Sequence, residues 1–516
     1  MTLKRAILAL LTIFAIARIG LSLNDSFSQP QIQSRLELYQ TNLVLHVAEF
    51  KASPGDEFDL NTAVSSIVGD DPYSAASKQY QKVLEESQTS RDTFVTQLKQ
   101  LDSPTISVDG KEIPEVNAVQ KRQLQQQIAE MEKFINELDL KRGILAALQL
   151  QKTEAIDIWE SAIDRIDNPQ DAYAKTALLL KQLWQNESLD EDARSIITNN
   201  LDSWFRYQAL AQLDRVNNLT DDLARLQAKE TEIAASSIAK LAFVSAFPVF
   251  GGIFGTGLLI FLIVQRLLKK EEAIIATNSN VNWSTPWDWE ITWQVMIVGF
   301  FFVAQIALPL LLGILNINPV NSSLRVKSLY VFGTYMTMAI GGIAVLYFSI
   351  KSFKPLPEDW FKFKLVDRWI LWGFGGYLVA LPLVLLVSLI NQQIWHGQGG
   401  SNPLLFLALQ AQDRVALIIF FITSSIAAPV FEEIMFRGFL LPSLTRYISV
   451  RSAIIISAFI FAIAHLSLSE VLPLATLGMV LGFVYTRSRN LLAPMLLHSL
   501  WNSGTLISLF VLGSGA

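Results

Sequence analysis

Glu432 and Glu433 stand side by side, and Arg437 follows four positions later, inside a stretch otherwise apolar enough to lie in a bilayer. His465 comes next, and then His498 with Asn502 four residues beyond it. Amide hydrolysis needs an activated water, a stabiliser for the tetrahedral oxyanion and a proton for the leaving amine. Carboxylate, imidazole and carboxamide groups supply all three. Ionisable groups at bilayer depth cost about 2.5–3.5 kcal/mol each even on the mildest insertion scale, so membrane segments that keep them usually line a polar cavity. The competing reading ends the apolar run at Val430 and starts a wet loop at Glu432. The two histidines weigh against it.

Their depth can be compared through the basic loops. Residues 443–451 and 486–490 carry Arg446, Arg451, Arg487 and Arg489, the mark of cytoplasmic connections. Glu432 lies fourteen residues before Arg446, and His465 lies fourteen after Arg451. His498 and Asn502 lie nine and thirteen after Arg489. At a rise of 1.5 Å per residue these are roughly 13–21 Å, so all four fit one layer. Within each helix the spacing agrees. Glu433 and Arg437 share a face and can pair, while Glu432 points about 100° away and stays free to react. Phe461 and His465 share a face, as do His498 and Asn502. Gly478 and Gly482 lie one turn apart and permit a close helix approach.

The elements that must hold these groups follow from composition. The chain has 516 residues, half of them hydrophobic and only 17% charged, against about 25% in soluble domains. Charge and grease are segregated: residues 24–237 carry a net charge of about −14 and the rest about +9. The absence of cysteine excludes disulfides, thiol catalysis and thiolate metal sites. Residues 1–23 combine Lys4 and Arg5 with an apolar run, which fits a signal peptide or a retained anchor, the second being favoured. Lys4 and Arg5 place the N-terminus in the cytoplasm and the following domain across the membrane.

Residues 24–237 form an extracytoplasmic α-helical domain. Turns are expected at 53–56 and 70–72 and a loop over 102–114. Helices are predicted over 121–140, 141–150 and 153–166. Gly143, Ala146, Ala147, Ala155, Trp159, Ala162 and Ile163 resemble one tetratricopeptide-like hairpin, which suits a domain that binds protein partners. His46 has apolar neighbours and reads as a core or groove histidine. Residues 238–516 hold eight predicted spans, over 239–268, 292–315, 328–350, 369–390, 414–441 (bent at Pro429), 453–466, 471–485 and 491–511. Lysines and arginines in 351–368 make that loop cytoplasmic, whereas 391–413, with His396, faces the other side. The fold class is therefore all-α: a polytopic membrane protein with an eight-helix transmembrane core and an N-terminal helical soluble domain behind a signal or anchor segment.

Glu432-Glu433-x-x-x-Arg437, Phe461-x-x-x-His465 and His498-x-x-x-Asn502 resemble the three motifs of the CPBP family of intramembrane proteases. These are relatives of the type 2 CAAX prenyl endopeptidase and of the bacteriocin-processing and abortive-infection proteins. Asn490-Leu491-x-x-Pro494-Met495 ahead of His498 is similar to the family as well. The motif match covers about the last hundred residues, and the soluble domain is not part of the family core. The resemblance implies an intramembrane endopeptidase acting on membrane proteins or peptides in the lipid bilayer, without a nucleic-acid partner. Glu432 is the candidate base with His465 holding the same water, His498 and Asn502 the oxyanion donors, and Glu433 with Arg437 the brace. Glu432, His465 and His498 can alternatively be read as zinc ligands with an open position, and both options stand at this stage. His-Glu-x-x-His, Gly-x-Ser-Gly and Gly-x-Gly-Asp signatures of other intramembrane proteases are missing. A reading of another class is a membrane scaffold or chaperone that kept the fold to hold partners, but such a protein has no reason to retain costly buried ionisable groups.

Overall fold

The computed structural model describes residues 2–27, 29–50, 64, 67–102, 114–187, 189, 192–317, 319, 322–395, 397–409 and 413–513. These residues are helical throughout, with no strand among them. The turn expected at 53–56, most of the loop at 102–114 and His396 lie outside the described residues. The chain divides into two compact units, Met1–Gln29 with Ser245–Phe510 and Pro30–Val244 with Val511–Ala516.

The second unit is built from α2 (Ile32–Ala48), α3 (Pro72–Asp102), α4 (Pro114–Leu148), α5 (Lys152–Arg165), α6 (Ala172–Gln185), α7 (Ala193–Asn200), α8 (Ser203–Val216) and the start of α9 (Thr220–Lys269). Asp71 ends the expected turn and caps α3, its carboxylate accepting from Ser74 N at 3.0 Å, with Pro72 as the first helical residue. The stretches 121–140 and 141–150, predicted as two helices, run as the single helix α4. No breaker separates them, and Gly143 is tolerated inside because it packs against α5. A Cβ on Gly143 would lie 2.2 Å from Trp159 Nε1, so the hairpin closes only on glycine. Trp159 is buried, donates to the Leu140 carbonyl at 3.3 Å and stacks at a tilt against Trp184, with centroids 5.5 Å apart. Lys141 is buried between the carboxylates of Glu137 (2.6 Å) and Asp202 (2.8 Å). Burial works against its ammonium, yet the two carboxylates outweigh it and hold the pKa well above the ordinary lysine value.

The first unit holds the membrane helices. Apolar helices long enough to span are α1 (Leu3–Phe27), α9, α10 (Trp289–Ile314), α11 (Leu324–Ile350), α12 (Trp369–Trp395), α14 (Arg414–Leu444), α16 (Val471–Ser488) and α17 (Leu492–Gly513); α13 (Pro403–Leu409) is a short connector. The protein is an integral, multi-pass membrane protein. The span predicted at 239–268 is the C-terminal part of the 50-residue α9, which no break separates from the polar turns before it. The helix expected over 453–466 is α15 (Val450–Ile463), only 14 residues long. At 1.5 Å per residue that is roughly 21 Å, short of a hydrocarbon core of about 30 Å. His465 sits in the turn that closes α15, its backbone N–H donating to the Ala462 carbonyl at 3.2 Å.

α1 is docked along its length. Lys4 and Arg5 pair with Glu290 at 3.0 and 2.8 Å, and Trp293 Nε1 donates to Thr12 Oγ1 at 2.7 Å. Ala15 is buried in the same core as Phe436 and Phe461. At its other end Ser26 Oγ accepts from Leu468 N at 3.2 Å, and the Gln29 carbonyl accepts from Gly400 N at 2.9 Å. Leu468 lies three residues beyond His465.

Candidate active site

Three helices and one turn bring the predicted residues together. On α14 the backbone leaves ordinary α geometry twice, over Thr423–Ala427 and Ile434–Leu440, where it winds as π-helix. Pro429 gives the physical reason for the first. It has no N–H, so neither the Ser425 carbonyl one α turn before it nor the Ser424 carbonyl one π turn before it receives its usual donor. Both carbonyls are taken by α17: Ser499 Oγ donates to Ser425 O at 2.6 Å and Asn502 Nδ2 to Ser424 O at 2.8 Å. The bend expected at Pro429 is thus a widened turn, and it is also where α17 is fastened. One hydrogen of the Asn502 amide is engaged in this bond.

Glu433 and Arg437 form the expected pair, Nη1 to Oε1 at 2.9 Å, with both residues fully buried. Arg437 Nη2 also donates to the Gly478 carbonyl at 3.0 Å, and its guanidinium lies 4.5 Å from the Phe461 ring centroid. The close approach needs Gly478: a Cβ there would press on Ala458 Cβ at 3.0 Å and on Arg437 Nη2 at 3.3 Å. One buried cation so ties α14, α15 and α16. Glu433 Oε1 accepts a second bond, from His498 Nδ1 at 2.8 Å. That bond places a proton on Nδ1 and turns Nε2 away from the ion pair. Nε2 stands 3.9 Å from Glu432 Oε2.

Glu432 is held by a residue that sequence reasoning missed. Tyr335 Oη, on α11, donates to Glu432 Oε1 at 3.0 Å. Glu432 Oε2 is buried and accepts nothing from any described residue. Tyrosine in a membrane helix is common enough at interfaces that Tyr335 carried no signal of its own. His465 Nδ1–H donates to the Phe461 carbonyl, 2.9 Å away. Its ring packs edge-on against Phe461, and so does that of His498, with centroids 4.9 and 5.8 Å from the phenyl. Just after His465, the carboxylate of Glu470 accepts from Asn402 N at 3.0 Å. Burial pushes the Glu470 carboxyl up, against the opposing pull of that N–H and of His465.

The structure thus joins Glu433, Arg437 and His498 directly, sets Glu432 3.9 Å from His498, fastens Asn502 to the helix that bears the carboxylates, and places His465 on the same phenyl ring as His498. Among the described residues no group of three His, Asp or Glu side chains, Glu432, His465 and His498 included, is placed to hold a metal ion.

A bundle of apolar helices encloses these carboxylates, imidazoles and the buried arginine, and the family match and the names of the relatives support a membrane protease. Residues 414–504 match the family described as type II CAAX prenyl endopeptidase Rce1-like. The chain is similar to the putative membrane peptidase YdiL of Bacillus subtilis (strain 168), at 27% identity over 211 residues, 40% of this chain and 83% of the relative. It is similar also to the membrane-embedded CAAX protease MroQ of Staphylococcus aureus (strain USA300), at 22% identity over 222 residues, 42% of this chain and 88% of the relative. No solved structure matches.

Proposed function

We propose that the protein is an intramembrane endopeptidase that hydrolyses peptide bonds of membrane-associated substrates with a water activated by Glu432. The observation that carries the reading is the unpartnered Glu432 Oε2, buried and faced by His498 Nε2 at 3.9 Å. A carboxylate oxygen in that position can take a proton from water while Tyr335 holds its other oxygen. As the water oxygen attacks the carbonyl carbon, its proton passes to Glu432 and the carbonyl oxygen becomes an oxyanion. Protonated His498, steadied by Glu433 at Nδ1, donates from Nε2 to that oxyanion, and the free hydrogen of the Asn502 amide can donate beside it. Glu432 then returns the proton to the leaving amine. His465 Nε2 helps to hold the water, its Nδ1 being bonded to the backbone.

The basic loops around Arg446, Arg451 and Arg487 support a cytoplasmic side for the adjoining helix ends and the opposite side for residues 24–237. One relative is named a CAAX protease, and a C-terminal tail offered from the side of these basic loops suits the reading. Purified full-length protein in lipid nanodiscs, offered a library of membrane peptides, should cleave a subset, and Glu432→Ala and Glu432→Gln should both stop it. Cleavage unchanged in both variants removes the enzyme reading and favours the scaffold, with residues 24–237 holding protein partners.

A further inference from the structure

The other buried histidine belongs to a second chemical constellation, in the unit Pro30–Val244. His46, on α2, has its Nδ1 2.5 Å from Glu230 Oε1 on α9, and its Nε2 2.9 Å from Ser203 Oγ at the start of α8. His46 and Glu230 are buried, and Ser203 is half-buried. With a neutral imidazole and an ionised Glu230, Nδ1–H points to the carboxylate and the Nε2 lone pair accepts from the serine hydroxyl. Nucleophile, base and orienting acid are then in series, each within hydrogen-bond reach of the next.

Two local features distinguish Ser203 from a serine that merely satisfies a histidine. Its φ is +49°, a left-handed conformation that L side chains seldom adopt, at the point where the chain turns into a helix. Asp202, the residue before, makes no side-chain cap bond to α8, because its carboxylate is drawn to Lys141 at 2.8 Å. Trp204 and Phe205 thus open α8 without a side-chain cap, and their backbone N–H groups belong to the first turn, which has no intrahelical acceptor. Those amides are the donors an oxyanion at this serine would need.

We infer that Ser203, His46 and Glu230 form a second, independent hydrolytic site, acting on neutral carboxylic esters. Neutral acyl groups are favoured because acids crowd the site: Glu49 accepts from Trp204 Nε1 at 3.2 Å and from Gln208 Nε2 at 2.6 Å, and Asp202 flanks the serine. Ser203 Oγ attacks the acyl carbon while its proton moves to His46 Nε2 and the carbonyl electrons move to oxygen. Collapse of the adduct breaks the bond to the alcohol, which leaves with the proton from His46. Water then enters by the same route, giving up its proton to His46 and releasing the acid as Ser203 Oγ recovers it. Glu230 stays ionised and holds the imidazole in place.

The full chain in detergent would be treated with a fluorophosphonate and digested for mass spectrometry. A phosphonyl adduct on Ser203, absent in Ser203→Ala and in Glu230→Gln but retained in Glu432→Gln, is the expected result. Hydrolysis of p-nitrophenyl acetate should fall at least tenfold in Ser203→Ala, while cleavage of membrane peptides is unchanged. Because the chain lacks cysteine, Ser203→Cys gives a single thiol. At pH 7 that thiol should react with iodoacetamide at least tenfold faster than the same thiol in a chain that also carries His46→Gln. No adduct on Ser203 in the natural chain, or a thiol rate in Ser203→Cys that is indifferent to His46, overturns the inference.

Discussion

His498 Nε2 and Glu432 Oε2 stand 3.9 Å apart, beyond a direct hydrogen bond, while the opposite ring nitrogen of His498 is locked to Glu433 at 2.8 Å. The imidazole cannot rotate toward Glu432 without giving up Glu433. A third group is therefore needed to join them, and an oxygen of water or of a substrate carbonyl has the right chemistry. If the two residues act on one reacting group, their losses overlap. Glu432→Gln and His498→Gln should each lower kcat/KM by about 10²–10⁴-fold. The double variant should fall little further, and losses that multiply would show that the two residues serve separate steps.

Arg437 should govern stability before it governs rate. Removing it leaves Glu433 as an uncompensated buried charge, which costs about 3–5 kcal/mol in buried pairs generally. Arg437→Ala should lower the thermal midpoint steeply, and Arg437→Lys should recover little, since one ammonium cannot reach both Glu433 and the Gly478 carbonyl with fork geometry. Melting curves of the two variants in the same detergent decide this, and near-complete rescue by lysine would contradict it.

Tyr335→Phe removes one hydroxyl and nothing else. The bond it donates is to a carboxylate, a kind that contributes about 1.5–3 kcal/mol. Peptide cleavage should drop by about tenfold or more, with a thermal midpoint close to that of the natural chain. A large loss of stability with normal turnover per folded molecule would make Tyr335 a packing residue.

Glu470 supplies a pH test. Its carboxyl is pushed above the ordinary glutamate value by burial, so the fold prefers it protonated. Its stabilising contribution is complete below about pH 4.5 and fades as pH rises through the folded-state value. Glu470→Gln keeps the acceptor for Asn402 N without the charge. The variant should melt above the natural chain at pH 7, and the gap should close below about pH 4.5. A variant that melts lower at pH 7 would mean that the ionised form is needed.

The residues legible in the sequence were those whose neighbours lie one helical turn away. Glu433 and Arg437 pair because a four-residue step leaves them no other geometry, and His465 and His498 reach the same phenyl ring because counting from the basic loops put them at one depth. Gly478 was legible as a place of close approach, though not that its carbonyl would receive the arginine. Tyr335 lies 97 residues before Glu432, and helix periodicity says nothing about which helices become neighbours. The same limit hid Glu290 from Lys4 and Arg5, and it hid the bonding of His46, which was read correctly as buried but not as partnered. Pro429 was seen as a breaker, whereas the carbonyls it releases became the fastening points for Ser499 and Asn502.

Loss of residues 1–29 would do more than trim this protein. It would unhook the Leu468 amide from Ser26, release the Gly400 amide from the Gln29 carbonyl and leave Glu290 without its two cations. The turn that carries His465 would lose its outer strut, and on the function proposed above peptide cleavage should fall with it.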